Sequence, residues 1–151
     1  MSTNRIEREV TIEASPERVW ALLTEAEHLG KWFGDAGAEI DLQPGGAMSL
    51  SWEKYGTFKG RVERVEPPRF FSYRCVSLGF AQGKEPRKGN STLVEYSLSP
   101  DGDGTRVRVV ESGFDELQWP EERRREYREG NRQGWEIKTG ELADYAAKVS
   151  E

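Results

Sequence analysis

The feature that most constrains the fold is a long stretch in which apolar residues alternate with polar ones. From residue 38 to residue 112 the hydrophobic pattern has a period of two, which is typical of strands with one buried face. Turn-forming residues interrupt it at Pro44-Gly45-Gly46, Pro67-Pro68 and Asp101-Gly102-Asp103-Gly104. Strands joined by such short turns are antiparallel neighbours, so the pattern predicts an antiparallel sheet.

Two departures from regular alternation are visible in this stretch. The parity of the apolar residues slips between Val62 and Val65, which predicts a β-bulge. Residues 77–90 contain several glycines, prolines and charges and predict a long loop.

The apolar face of such a sheet needs a cover, and the C-terminal residues provide one. A helix is predicted from about Gly130 to Ser150 by four apolar residues with helical spacing. These are Trp135, Leu142, Tyr145 and Val149. Lys138 occupies a position in this stripe where an apolar residue would fit, and its aliphatic stem can lie along the stripe.

The N-terminal residues add one strand and two short helices. Residues 4–13 alternate as a strand, and Ser15 is a good N-cap for a helix that begins at Pro16 and runs to about Glu27. A short helical turn from His28 to Trp32 follows. The prediction for residues 1–151 is a single α+β domain: a curved antiparallel sheet of about seven strands, two short helices and a long C-terminal helix, together enclosing a cavity.

Composition excludes several classes of partner. The net charge of −5 argues against nucleic-acid binding, which requires a basic surface. No apolar run reaches the roughly 20 residues that span a bilayer, and the first residues lack the apolar core of a signal peptide. Cys75 is the single cysteine, so no intrachain disulfide is possible. We therefore expect a cytoplasmic protein that binds neither nucleic acid nor membrane.

The residues suited to metal or nucleophilic chemistry are few. His28 is the single histidine, and a catalytic triad or dyad would have to use it, although it lies in a segment that reads as structural. Too few nitrogen and sulfur ligands are available for zinc. The sequence therefore predicts no metal site and no cofactor.

A set of short motifs occurs in order along nearly the whole chain. They are Ser15-Pro16 with Val19-Trp20, His28-Leu29 with Trp32-Phe33, Pro44-Gly45-Gly46, Gly56-Thr57-Phe58 with Gly60, Val65-Glu66-Pro67-Pro68-Arg69, Gly102-Asp103-Gly104-Thr105, Glu111-Ser112-Gly113-Phe114 and Gly134-Trp135. In this order the motifs resemble the START-like, or SRPBCC, helix-grip superfamily. Within it the chain is most similar to the family named for the C-terminal domain of the activator of Hsp90 ATPase.

This resemblance implies a fold more specifically than an activity. Relatives include a cochaperone domain, aromatic polyketide cyclases, and lipid and hormone carriers, and one fold can host many functions. Two differences from such relatives concern the cavity. The loop from Ser77 to Asn90 is longer than a minimal version and is expected to cap the cavity mouth, and Cys75 stands where relatives often carry a large aromatic residue.

Glu111 is the candidate catalytic residue. Its parity matches Val107 and Val109, so its carboxyl group should face inward, where an apolar environment would raise its pKa. A carboxyl group of this kind can act as a general acid or base. The alternative is a structural role, in which Glu111 pairs with an arginine or a tyrosine at the end of its strand.

The candidate ligand-binding residues are the inward-facing aromatic side chains together with this carboxyl group. They are Trp32, Trp52, Tyr73, Tyr96, Glu111 and Trp135. Three hypotheses follow for a monomer or a homodimer. The leading one is a protein that binds a small apolar or aromatic molecule without catalysis; the second is a protein-interaction module like the Hsp90-activating domain; the third is a cyclase-like or hydrolase-like enzyme that uses Glu111.

Overall fold

The computed structural model describes residues 5–54, 56–76, 86 and 89–149. Within these ranges the chain forms seven β-strands, three α-helices and one short 3₁₀ turn. In chain order they are β1 (Arg5–Ile12), α1 (Pro16–Thr24), α2 (Ala26–Trp32), β2 (Ala38–Ile40), β3 (Ala47–Trp52), β4 (Gly56–Glu66), β5 (Phe70–Val76), β6 (Ser91–Asp101), β7 (Gly104–Ser112), the 3₁₀ turn (Phe114–Glu116) and α3 (Glu121–Val149).

The strands form one curved antiparallel sheet with the order β1-β7-β6-β5-β4-β3-β2. Strands β2 to β7 follow one another as a meander, and β1 joins the sheet beside β7. This arrangement confirms the α+β helix-grip fold that the alternating pattern and the C-terminal stripe predict. The loop predicted from Ser77 to Asn90 lies for the most part outside the described residues.

The inner face of the sheet carries the core. The inward-facing residues of β5, β6 and β7 are buried, with exposed fractions of 5% or less. They are Phe71, Tyr73, Val94, Tyr96, Leu98, Val107 and Val109. The register of β4 against β5 shifts between Val62 and Arg64, which confirms the predicted bulge. Because a bulge inserts one unpaired residue, Val65 returns to the parity of its neighbours and β4 bends.

Helix α3 is longer than the sequence pattern indicates, because it begins at Glu121 rather than near Gly130. The additional residues are mostly glutamate and arginine, which favour a helix but show no apolar period. Tyr127 anchors this first part, with its ring centroid 5.2 Å from that of Trp119 and 5.8 Å from that of Phe114. The apolar stripe therefore marked the part of the helix that covers the sheet, not the whole helix.

Helices α1 and α2 are separated at Glu25, whose backbone is extended, so the predicted continuation of α1 to about Glu27 is wrong. A side chain of α2 donates a hydrogen bond to a backbone carbonyl group at the end of α1. The indole Nε1 of Trp32 donates to the carbonyl oxygen of Leu22 at 2.7 Å, and both side chains are buried. A helix leaves its last carbonyl groups without partners in the helix itself, so this bond replaces one of the missing interactions.

Replacing Trp32 with phenylalanine tests this role. The change keeps an aromatic ring but leaves the Leu22 carbonyl without its donor, and we expect the free energy of unfolding to fall by about 1–3 kcal/mol. Urea denaturation of Trp32→Phe beside the wild type measures the effect. A loss below about 0.5 kcal/mol, the size of an ordinary surface change, would contradict the assignment.

Candidate functional site

A cavity of about 470 Å³ lies between the inner face of the sheet and helix α3. The strands contribute Trp52, Phe58, Tyr73, Cys75, Val76, Val94 and Glu111 to its lining. Phe33, which follows α2, and six residues of α3 complete it, the latter being Tyr127, Gly130, Asn131, Gly134, Trp135 and Lys138. The curved sheet and the long helix thus enclose space between them.

One wall of the cavity consists of aromatic rings in mutual contact. The ring centroid of Phe33 lies 5.5 Å from that of Trp135 and 5.8 Å from that of Trp52. Trp52 in turn lies 5.5 Å from Phe58, and its Nε1 donates to the carbonyl oxygen of Phe33 at 3.1 Å. Such separations are those of favourable aromatic pairs, so the rings of the wall stabilise one another.

Glu111 is the buried polar centre of the site, at the end of β7. Its exposed fraction is 2%, and three side chains donate to its carboxylate. Thr92 donates to Oε2 at 2.6 Å and Trp135 donates to Oε1 at 2.8 Å. The Nδ2 of Asn131 lies 3.1 Å from Oε1 and 3.0 Å from Oε2. Both oxygens therefore have partners, and two of the three donors belong to α3.

These partners bear directly on the role of Glu111. Burial raises the pKa of its carboxyl group, while the hydrogen bonds from Thr92, Trp135 and Asn131 oppose the rise without cancelling it. The arginine or tyrosine partner expected from the sequence is not among these donors, and all three are uncharged. The arrangement fits a carboxylate that positions Trp135 and Asn131 better than one that is free to exchange protons with a ligand.

The raised pKa of Glu111 predicts how stability depends on pH. Because this pKa is higher in the folded chain than the ordinary value of 4.5, the folded state binds more protons than the unfolded state above that pH. Glu111 therefore lowers the free energy of unfolding as the pH rises from about 4.5 through its folded pKa. Glutamine does not titrate, so Glu111→Gln should lose less stability than the wild type between about pH 4 and pH 7.

Urea denaturation of both proteins across this range, compared as a difference curve, measures the effect. The shared contributions of all other titrating groups cancel in the difference. Parallel stability profiles for the two proteins, or a wild type that gains stability relative to the variant as the pH rises, would show that the pKa of Glu111 is not raised.

Tyr73, Tyr96 and Cys75 form a second polar group beside Glu111. The hydroxyl oxygens of the two tyrosines lie 3.3 Å apart, and the Sγ of Cys75 lies 3.5 Å from the hydroxyl of Thr92. Burial raises the pKa of all three groups above their ordinary ranges, so they stay protonated near neutral pH. Cys75 is thus a weak nucleophile here, because the thiolate is the reactive form.

The structure brings four of the six candidate ligand-binding residues to the cavity. Trp52, Tyr73, Glu111 and Trp135 line it. Tyr96 is not part of the lining, and its ring lies 6.0 Å from that of Tyr73 and packs edge-on against Trp135 at 6.1 Å. The expected position of Trp32 near the cavity mouth is wrong. Its ring is buried and stacks on Phe33, and its indole N–H donates to the carbonyl oxygen of Leu22. Trp32 therefore packs against the aromatic wall and does not line the cavity.

His28 lies away from this site. Its Nδ1 is 2.7 Å from the hydroxyl oxygen of Tyr145, which joins α2 to α3, and its Nε2 is 3.7 Å from Glu25. Among the described residues, no cluster of three or more histidine, cysteine, aspartate or glutamate side chains is arranged to hold a metal ion. No helix in the described part of the chain is long and apolar enough to cross a membrane.

Two glycines on the cavity side of α3 were not predicted as site residues from the sequence. Gly130 and Gly134 lie one turn apart in the lining, and a methyl group built at either position would meet no heavy atom within 4 Å. Packing therefore does not require glycine, which disfavours a helix by about 1 kcal/mol relative to alanine. The signal in the sequence was two glycines four residues apart inside a helix, but only the cavity gives it a meaning.

We expect alanine at Gly134 to stabilise the protein. It improves helix propensity without a clash, so the free energy of unfolding should rise by about 0.5–1 kcal/mol. Gly140→Ala is the matched control, since Gly140 is exposed on the same helix and equally free of neighbours. Both variants should unfold at higher urea concentration than the wild type. Destabilisation by Gly134→Ala alone would show that the space beside it is not open.

Taken together, the fold and the cavity define a helix-grip protein, in which a curved sheet and a long C-terminal helix enclose an apolar site. The model of a family described as activator of Hsp90 ATPase homolog 1-like protein matches residues 13–147. The chain belongs to this family, which confirms the resemblance seen in its motifs. No curated protein sequence matches the chain significantly.

Solved structures show the same fold at low sequence identity. A protein from Mesorhizobium loti is 21% identical with a TM-score of 0.78, over 96% of this chain and 98% of that one. The Aha1 dimer from Colwellia psychrerythraea is 20% identical with a TM-score of 0.73, over 97% and 98%. An Hsp90 activator from Plasmodium falciparum is 18% identical with a TM-score of 0.59, over 73% of each chain.

Proposed function

We propose that this protein binds a small apolar or aromatic molecule in the cavity between the sheet and α3. The observation that carries the proposal is the cavity itself. Its volume of about 470 Å³ falls within the range of ligand pockets, roughly 300–1,000 Å³. Its lining is mainly aromatic and aliphatic, with a few polar groups at defined positions, which is the usual composition of a small-molecule site.

The helical glycines support a site that is kept open. Gly130 and Gly134 weaken α3, yet no neighbouring atom would obstruct a larger side chain there. Larger residues at these positions would fill part of the cavity. An incidental packing defect would be expected to shrink in this way, because each filled void recovers contacts between atoms.

The proposal gives Glu111 a positioning role. Its hydrogen bonds hold the indole of Trp135 and the amide of Asn131 at the cavity surface. The cyclase-like or hydrolase-like alternative needs an acid or base that can reach a ligand, and both oxygens of Glu111 are already engaged by the protein. Binding without catalysis is therefore the function we favour, in the cytoplasm, where a single free thiol is compatible with the reducing conditions.

Family membership favours one second candidate, a protein-interaction module. The family is named for an activator of Hsp90 ATPase, and one structural neighbour is itself described as an Hsp90 activator. Another neighbour is a dimer, so a homodimer is the oligomeric alternative to a monomer. This candidate requires the purified chain to stimulate the ATPase activity of an Hsp90, which ligand binding in the cavity does not.

The reactivity of Cys75 can report on access to the cavity, because Cys75 is the single cysteine and lines the cavity. Burial and the raised pKa predict that N-ethylmaleimide labels the folded protein at least about tenfold more slowly than the urea-unfolded chain. The neutral fluorescent probe N-phenyl-1-naphthylamine should bind and slow this labelling further. Mass spectrometry measures the labelling rate, and fluorescence titration measures binding of the probe.

A surface thiol provides the control for this experiment. Cys75→Ser combined with Leu42→Cys moves the single thiol to an exposed position. The probe should bind this variant but leave its labelling rate unchanged. Fluorescence enhancement without protection of Cys75 in the wild type would place the probe on the surface and contradict the proposed function.

A further inference from the structure

Lys138 is the one positively charged residue among the described residues that line the cavity. It stands in the apolar stripe of α3, between Trp135 and Leu142, and its side chain is 24% exposed. Within the described part of the chain, its ammonium group lies 3.5 Å from the carbonyl oxygen of Trp32 and 3.4 Å from the carboxylate of Glu141, both long for a charge-assisted hydrogen bond. Since an ammonium group offers three donors, Lys138 retains capacity for a stronger partner.

Lys138 lies in line with the two glycines of α3 that line the cavity, and these three residues are called the row below. Gly130, Gly134 and Lys138 follow one another at intervals of four residues, so they lie along one face of α3, and all three line the cavity. The row is about 12 Å long, since a helix rises about 1.5 Å per residue. Along this row the helix presents two glycines without side chains, followed by the positively charged side chain of Lys138.

We infer that this row selects an anionic ligand, an apolar or aromatic carboxylic acid. The body of the acid lies against Gly130 and Gly134, and its carboxylate pairs with the ammonium group of Lys138. The inference rests on the proposed function and narrows it, because an apolar cavity alone would accept neutral molecules equally well. A charge-assisted hydrogen bond in a partly buried site is stronger than one between neutral groups.

The carboxylate of Glu111, which also lines the cavity, lies at a different position along α3 from Lys138. The carboxylate of Glu111 is held by Asn131 and Trp135, and therefore lies beside the glycine part of the row rather than at Lys138. Its two oxygens accept hydrogen bonds from Thr92, Asn131 and Trp135, and Lys138 is not among the donors that the described residues provide. Glu141 does contact Lys138, but its carboxylate is 46% exposed, so water screens that pair.

A matched pair of probes, one neutral and one anionic, measures how the charge of the ligand affects its affinity. 8-Anilinonaphthalene-1-sulfonate has the ring system of N-phenyl-1-naphthylamine with an added sulfonate, which supplies the anionic group. We expect the wild type to bind the sulfonate about tenfold more tightly than the neutral probe, with protection of Cys75 by both. Lys138→Met should abolish this preference and leave the affinity for the neutral probe within about twofold.

Two further variants separate a binding role of Lys138 from a structural one. Lys148→Met removes the same charge from the exposed end of α3 and should keep the tenfold preference. Lys138→Gln removes the charge but keeps a donor for the carbonyl oxygen of Trp32, so it replaces Lys138→Met if that variant does not fold. A merely structural lysine would change the melting temperature but not the ratio of the two affinities.

The outcomes distinguish the inference from the proposed function. If both probes protect Cys75 and the ratio of affinities is the same in wild type, Lys138→Met and Lys138→Gln, the inference is wrong while a neutral-ligand site remains. If neither probe protects Cys75, the proposed function fails and the inference fails with it. If Lys148→Met loses the preference as fully as Lys138→Met, the effect comes from net charge and the inference is also overturned.

Discussion

The hydrogen-bonded group around Glu111 determines how the long helix meets the sheet. The contact between α3 and the inner sheet face is otherwise largely apolar, and apolar packing alone is not directional. Glu111 on β7 accepts hydrogen bonds from Asn131 and Trp135, which are one turn apart on α3. These bonds require a particular rotation and position of the helix, because a buried carboxylate without its donors would be costly. The aromatic wall and the open space beside it depend on this placement.

The cavity results from two opposite features of the same helix. At its C-terminal half α3 packs closely, with Leu142 and Ala146 buried against the core. About two to three turns before Leu142, Gly134 and Gly130 present no side chain, so the sheet face opposite them is left uncovered. The bulge between Val62 and Arg64 bends β4 and so adds to the curvature of the sheet. Space is therefore left where the helix has no side chains to fill it.

Family membership accounts for the architecture of this chain but not for what enters the cavity. The solved structures that share the fold are about one-fifth identical to it, which establishes the fold alone. The features that define the site are individual side chains on a shared frame: Glu111 with its three donors, Cys75 facing the cavity, and Lys138 within an apolar stripe. Fold and function separate in this way because the frame is maintained by many apolar contacts, whereas recognition depends on a few polar groups.

The sequence by itself determined the architecture. Alternation with a period of two, short turns and a C-terminal stripe identify the sheet and its cover, and even the bulge between Val62 and Val65 is visible as a slip of parity. These features are readable because they depend on which face of each element is buried, and burial follows the period of the backbone. The tertiary structure decided the rest. It placed Trp32 behind the wall instead of in the site, gave Glu111 neutral partners from β6 and α3, and joined Gly130, Gly134 and Lys138 into one surface of the cavity. Such contacts join residues that are distant in the chain, and their distances depend on how α3 packs on a bent sheet, which no local pattern records.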